Sequence, residues 1–223
     1  MIRRDYFMRM VQELMQTLQR VAFLKDRQQY ELALDEIDRT LARFWDLSPE
    51  QIQALSLEDW IALCEAEEGT VTEKLAALAD LFFAQGELRG LRNQQERGQL
   101  VPGLDASQSS YVMALGLYLE TLRRSLVSMD LIEKADRLIE QTRAGKRPPD
   151  VLKRLLFYFE ERGMYAQAED ILFQWLETGE AKAKRIGLEF YERLLSKSDE
   201  ELERGDLPRA EAEQGRDELH AKN

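Results

Sequence analysis

Apolar residues return every three or four positions along most of this chain, and the spacing is clearest from Val151 to Glu177. Leu152, Leu155, Leu156 and Phe159 fall at i, i+3, i+4 and i+7, and Ala168, Ile171, Leu172, Trp175 and Leu176 repeat the rhythm after Gly163. That spacing predicts two short amphipathic helices folded back on each other through the glycine. Upstream, Phe7, Met10, Val11, Leu14, Leu18, Val21 and Leu24 predict a first long helix over Arg3–Lys25. After a polar break at Asp26–Gln29, Tyr30, Ala33, Leu34, Ile37, Leu41 and Phe44 predict a second.

The middle of the chain is less regular. Ser48, Pro49, Glu50 and Gln51 read as a helix start with a serine cap, a proline at the first helical position and a glutamine set to complete a capping box. Ser56 to Asp59 repeat the signal, and Leu57, Trp60, Ile61 and Cys64 supply the next apolar stripe. A long helical stretch follows from Thr70 to about Arg97, with Gly86 and Gly90 each costing about 1 kcal/mol relative to alanine, so that a turn near Gly86 is an alternative. Gly98–Ser109, with Pro102, Gly103 and several serines, reads as a loop. Val112, Leu115, Leu119, Leu122 and Leu126 define a helix over about Gln108–Val127, and Leu131, Ala135, Leu138 and Ile139 the next. Pro148 and Pro149 then interrupt helix. Beyond Gly179, one helix is expected from about Glu180 to Arg204, carrying Ile186, Phe190, Leu194 and Leu195, and a charged final helix runs to His220.

Small residues recur in register. Ala33 follows Tyr30 as Ala168 follows Tyr165, Ala135 lies 33 residues before Ala168, and Ala210 stands after Gly205 where Ala168 stands after Gly163. The helical tetratricopeptide repeat, with a period of about 34 residues, places a small residue where its paired helices cross closely. The expected fold is all-α, with tetratricopeptide-like hairpins in an α-α superhelical, solenoid-like array of about ten helices. Its expected organisation is a single domain over residues 1–223. Within it, 1–47 form an N-terminal hairpin, 48–106 an irregular middle with short helices, a long helix and a loop, and 107–223 further hairpins with a capping helix.

Composition narrows the partners. The chain carries 44% hydrophobic and 33% charged residues, too apolar for disorder and suited to helices with one wet face. A net charge of −11 argues against a general nucleic-acid binder, because phosphate contacts supply most of that affinity. No run approaches the roughly 20 apolar residues of a membrane span, and the N-terminus lacks the apolar core of a signal peptide, so a cytoplasmic protein is expected.

The opening MIRRDYFMRM and the blocks YAQAEDILFQWLE (Tyr165–Glu177) and IGLEFYERLLSKSDEEL (Ile186–Leu202) resemble an uncharacterised bacterial family of tetratricopeptide-like proteins, a domain of unknown function. The resemblance covers nearly the whole chain. It implies the helical fold and a bacterial cytoplasmic setting, and no activity, substrate or catalytic residue. The sequence departs from a tight repeat turn at Gly98–Ser109, which leaves the pairing of the flanking helices open.

Residues suited to chemistry are few. His220 is the single histidine and lies near the end; Cys64 is the single cysteine and is expected as a buried thiol. Carboxylate runs such as Glu65, Glu67, Glu68 and Asp199–Glu203 point in different directions on a helix and read as solvated faces. No catalytic, cofactor-binding or metal-ligating residue is assigned, no cofactor is expected, and an enzyme is not. The expected function is a non-enzymatic interaction or scaffold module that binds a protein segment on its helical surface. The candidate groove is lined by Glu120, Arg124, Lys153, Phe157 and Glu160, with Phe157 either an exposed anchor or buried under a neighbouring helix. A clamp for a C-terminal carboxylate is not expected, since asparagine occurs only at Asn93 and Asn223. Apolar end faces favour self-association as a two-fold dimer. The alternatives are a regulatory sensor, in which Gly98–Ser109 orders over a pocket for a peptide or small ligand, and an enzyme using helix-borne carboxylates.

Overall fold

The computed structural model describes residues 2–66, 70–97, 106–125 and 128–221. Among these the chain forms twelve α-helices and no strand. It divides into two compact units, Met1–Lys146 and Arg147–Asn223, hereafter units 1 and 2. The division falls within the connection marked by Pro148 and Pro149.

Unit 1 holds α1 (Ile2–Asp26), α2 (Tyr30–Trp45), α3 (Pro49–Ala54), α4 (Leu57–Ala66), α5 (Val71–Arg97), α6 (Ala106–Arg124) and α7 (Met129–Gln141). Helices α1 and α2 form the expected hairpin. Gln28 occupies the left-handed turn position (φ 59°), and the buried hydroxyls of Thr17 and Thr40 meet across the pair at 3.1 Å. Ser48 starts α3 with the capping box read from its sequence, and Ser56 and Asp59 exchange the same bonds at the start of α4. The stripe Leu57, Trp60, Ile61 and Cys64 is buried, so α4 is part of the core and its thiol is structural. Lys74, also buried, donates to the Cys64 carbonyl in the last turn of α4.

Helix α6 is the centre of this unit. Of its expected stripe, Val112, Leu115 and Leu119 are buried and Leu122 is half-buried, while Leu126 lies outside the described residues; Tyr111, Ala114, Leu117 and Tyr118 on its other faces are buried as well. A helix enclosed on all sides needs small residues where neighbours approach. At Gly116 the side chain of Leu57 from α4 occupies the space of a Cβ. Gly86 serves the same purpose on α5, where the Tyr111 ring lies 2.6 Å from an ideal Cβ position. The alternative of a turn at Gly86 is therefore not taken: the glycine is there for close packing, and α5 runs through it. Of the expected loop, 98–105 lie outside the described residues, while Ala106 to Ser109 form the first turn of α6. Those serines end up in helix because Ser107 and Ser110 turn inward, and Ser110 donates to a side chain of α5.

Unit 2 holds α8 (Pro149–Glu161), α9 (Tyr165–Glu177), α10 (Ala181–Leu195), α11 (Asp199–Arg204) and α12 (Arg209–Ala221). The α8/α9 hairpin forms as expected, with Gly163 at φ 72° and Gly179 at φ 76° ending the two helices. The single helix expected over Glu180–Arg204 is instead α10 and α11. Ser198 breaks it, because its side chain and that of Glu201 form a reciprocal capping box that starts a new helix. This break helps bring the count to twelve, where about ten were expected.

The register of α12 also differs. Ala210 is exposed, and Ala212 takes the buried small-residue position. The left-handed turn residue is Asp206 (φ 57°) and not Gly205 (φ −90°), and Pro208 lengthens the turn before Arg209 opens the helix. Counted from helix starts, Tyr30 to Ala33, Tyr165 to Ala168 and Arg209 to Ala212 are the same step.

Candidate functional site

The five groove candidates are divided between the units. In unit 1, Glu120 is 2% exposed and Arg124 half-buried. The Glu120 carboxylate accepts hydrogen bonds from both Arg123 and Arg124, and Arg124 reaches on to Glu65. Adjacent helical turns supply these partners, so Glu120 and Arg124 satisfy one another and tie α6 to α4.

In unit 2, Lys153 is exposed and Phe157 half-buried one turn later on α8. Glu160 accepts two hydrogen bonds from Arg193 of α10, at 2.7 and 2.8 Å, a bidentate pair that holds the guanidinium above its ordinary pKa. The same guanidinium lies 5.8 Å from the Phe157 ring centroid. Phe157 is thus partly exposed one turn from Lys153, with the Arg193 guanidinium over its ring. The other aromatics of this hairpin are mostly core, Tyr158, Phe159, Tyr165 and Trp175 all being buried.

Two buried phenols anchor the helices. Tyr118 donates to Asp80, which also accepts from Lys134 at 3.0 Å, joining α5, α6 and α7; burial and then the Asp80 charge push the phenol far above its ordinary range. In unit 2, Tyr191 donates to Glu169 at 2.7 Å. Burial raises the Glu169 pKa, more than the Tyr191 hydrogen bond lowers it. A carboxyl whose folded pKa is raised subtracts stability when ionised, and that cost disappears as pH falls through the folded value. The Glu169→Gln variant keeps an acceptor for Tyr191 and removes the charge. Its urea midpoint relative to wild type is expected to be higher at pH 7 than at pH 4.5; a difference independent of pH contradicts this account.

Sequence reasoning did not find a cavity of about 460 Å³ in unit 1, bounded by α2, α3, α4, α5 and α6. One wall is a hydrogen-bond chain. Arg89 donates to the Ser110 hydroxyl (2.7 Å), Ser110 to the Gln85 carbonyl oxygen (2.8 Å), and the Gln85 amide to Asp38 Oδ1 (3.0 Å). The apolar part of the lining includes Ile52, Leu55, Trp60, Phe82 and Met113. Its signal was present: Phe82, Gln85 and Arg89 share one face of α5 at i, i+3 and i+7, a polar interruption in a buried stripe.

Among the described residues, no helix is long and apolar enough to cross a membrane, and no group of three or more His, Cys, Asp or Glu side chains is placed to hold a metal ion. His220 is exposed on α12. No curated protein and no solved structure matches the chain. A family model described as a family of unknown function (DUF6483) matches residues 1–223.

Proposed function

We propose, from the premise that this chain belongs to that family of unknown function along its whole length, that it is a non-enzymatic cytoplasmic interaction module. It recognises a protein segment on a tetratricopeptide-like surface formed by α8 and α10. The observation that carries the reading is the Glu160–Arg193 pair. It joins the first helices of successive hairpins across 33 residues, close to one tetratricopeptide period of about 34, and its guanidinium lies over the partly exposed Phe157 ring. The stacking has a second support in the turns. The Gly205 carbonyl, between α11 and α12, accepts a hydrogen bond from the Ala166 amide at the start of α9 (3.0 Å). Surfaces of this kind bind extended or helical segments through a few apolar anchors and flanking charges. Here the anchor is Phe157, with Lys153 one turn away to favour an acidic flank.

The test places a photo-crosslinking side chain at Lys153, and as a control at Gln174 on the exposed side of α9, in cells that make the protein natively. A single adduct from Lys153, absent from Gln174 and lost in the Phe157→Ala background, is the expected result. Phe157 is half-buried, so its truncation is expected to cost only about 1 kcal/mol and leave unit 2 folded. If the partner is a second copy of this chain, the adduct has the mass of a dimer. Equal crosslinking from both positions overturns the assignment to this face.

A further inference from the structure

We propose that the exposed face of α1 is an interface between two copies of this chain, related by a two-fold axis that passes beside Gln19. This face lies in unit 1 and stands independently of the α8–α10 surface.

Among the described residues four large apolar side chains are half exposed or more: Met15, Phe23, Leu32 and Met129. Two of them stand singly among acids, Leu32 beside Glu31 and one turn from Asp35, and Met129 beside Asp130 and one turn from Glu133. Apolar residues scattered in that way are ordinary on a protein surface. Met15 and Phe23 differ. They lie about two turns apart on one side of α1 with Gln19 midway, a row at i, i+4 and i+8 of the kind by which packed helices most often interdigitate. The other exposed positions around that row are Gln12, Gln16 and Ala22. Arg20 is drawn to one flank by Glu36 of α2, and Glu13 on the same flank pairs with Arg43. From Gln12 to Phe23 the outward face of α1 thus carries no unpaired charge, in a chain of which 33% is charged. Charge resumes at its end with Asp26 and Arg27, which are of opposite sign, and the Arg27 guanidinium lies 4.2 Å from the Phe23 ring centroid. Folding does not require this composition, because α1 makes its buried contacts on the opposite side through Leu14, Thr17 and Val21.

Charge and hydrogen bonding select the occupant. Each copy carries a net charge of −11, so two copies repel one another. At physiological salt that repulsion is screened beyond about 8 Å, and the charges at the contact itself decide whether copies can meet. This face has none to set against its own copy, and none by which a strongly charged partner would recognise it. A glutamine amide both donates and accepts hydrogen bonds, so a row of glutamines is complementary to itself, as a two-fold contact requires. With the two α1 helices antiparallel, Gln19 meets its own copy at the axis. Met15 of each copy then meets Phe23 of the other, a thioether against an aromatic ring.

Sedimentation velocity of the full chain over a wide range of concentration is expected to show a monomer–dimer equilibrium. One helix pair lies at the small end of specific interfaces, below about 1,200 Å² in total, so the dimer is expected at micromolar concentration. Gln19 is exposed, so a charge there leaves α1 folded. Gln19→Glu and Gln19→Lys are each expected to weaken the dimer about tenfold or more, because like charges then meet at the axis. An equimolar mixture of the two variants is expected to restore it. A chain that stays monomeric throughout, a dimer that neither charge weakens, or variants that stay apart when mixed each overturns the proposal. Strengthening by Gln19→Lys alone also overturns it, since that result places an acidic surface, and not a second copy of this face, against α1.

Discussion

Replacing Gly205 with alanine is expected to lower the stability of unit 2 by about 3 kcal/mol, the upper end of the cost of overpacking a well-filled site. Gly205 has an ordinary backbone conformation, φ −90°, so its need for glycine is steric. An added Cβ enters the Tyr165 ring and comes within 2.6 Å of the Gly163 carbonyl oxygen. Neither neighbour yields cheaply. Tyr165 is buried, Gly163 is held in its left-handed turn, and the Gly205 carbonyl is itself bonded to the Ala166 amide. Gly163→Ala is the informative comparison. Its φ of 72° imposes a cost of about 1–2 kcal/mol, but its Cβ meets only the Tyr165 hydroxyl at 3.9 Å. Urea denaturation of both variants is expected to rank Gly205→Ala as the more damaging. A smaller loss than that of Gly163→Ala contradicts the stacked-turn account.

Trp60→Ala is expected to cost about 4 kcal/mol, within the usual range for truncating a buried tryptophan. Trp60 is fully buried and meets the rings of Trp45 and Phe82 edge-on, with centroids 5.2 and 5.5 Å away. Helix α4 is only ten residues long and Trp60 is its largest buried side chain, so the loss concentrates there. Amide exchange over Leu57–Ala66 is expected to accelerate more than exchange in α6. The same substitution removes one of the cavity's two aromatic lining residues, leaving Phe82. A loss below about 1 kcal/mol requires Phe82 and Trp45 to close over the void, contrary to the partial relaxation that core truncations show.

Local chemistry explains why so many helix boundaries could be read from residues alone. The Ser48 capping box, the Asp26–Gln29 break and the Gly163 turn each depend on groups within five residues of one another. Ser198 and Glu201 carry an equally local signal, a serine followed three residues later by glutamate, but the continuous apolar spacing on either side masked it. Gly86 is the opposite case. As a residue it weakens a helix; only the ring of Tyr111, 25 positions away in the chain, shows why a glycine is tolerated there.

The candidate groove divides along the same line. Helical spacing placed Lys153, Phe157 and Glu160 on α8, but Arg193, which binds Glu160 and covers Phe157, comes from another helix. Glu120 and Arg124 are i,i+4 neighbours whose pairing could have been anticipated, whereas their link to Glu65 could not. Asp38, Gln85 and Ser110 are separated by 47 and 25 positions, and no periodicity within one helix connects them.

Periodicity, caps and turn residues were therefore sufficient for the all-helical class, most helix limits and the buried Cys64, because each is an interaction between near neighbours in sequence or a consequence of burying an apolar stripe. The enclosure of α6, the packing role of Gly86, Gly116 and Gly205, and the cavity beside Asp38 were decided by tertiary structure. They depend on which helices approach and how closely, and that distance is set by side chains from several segments at once.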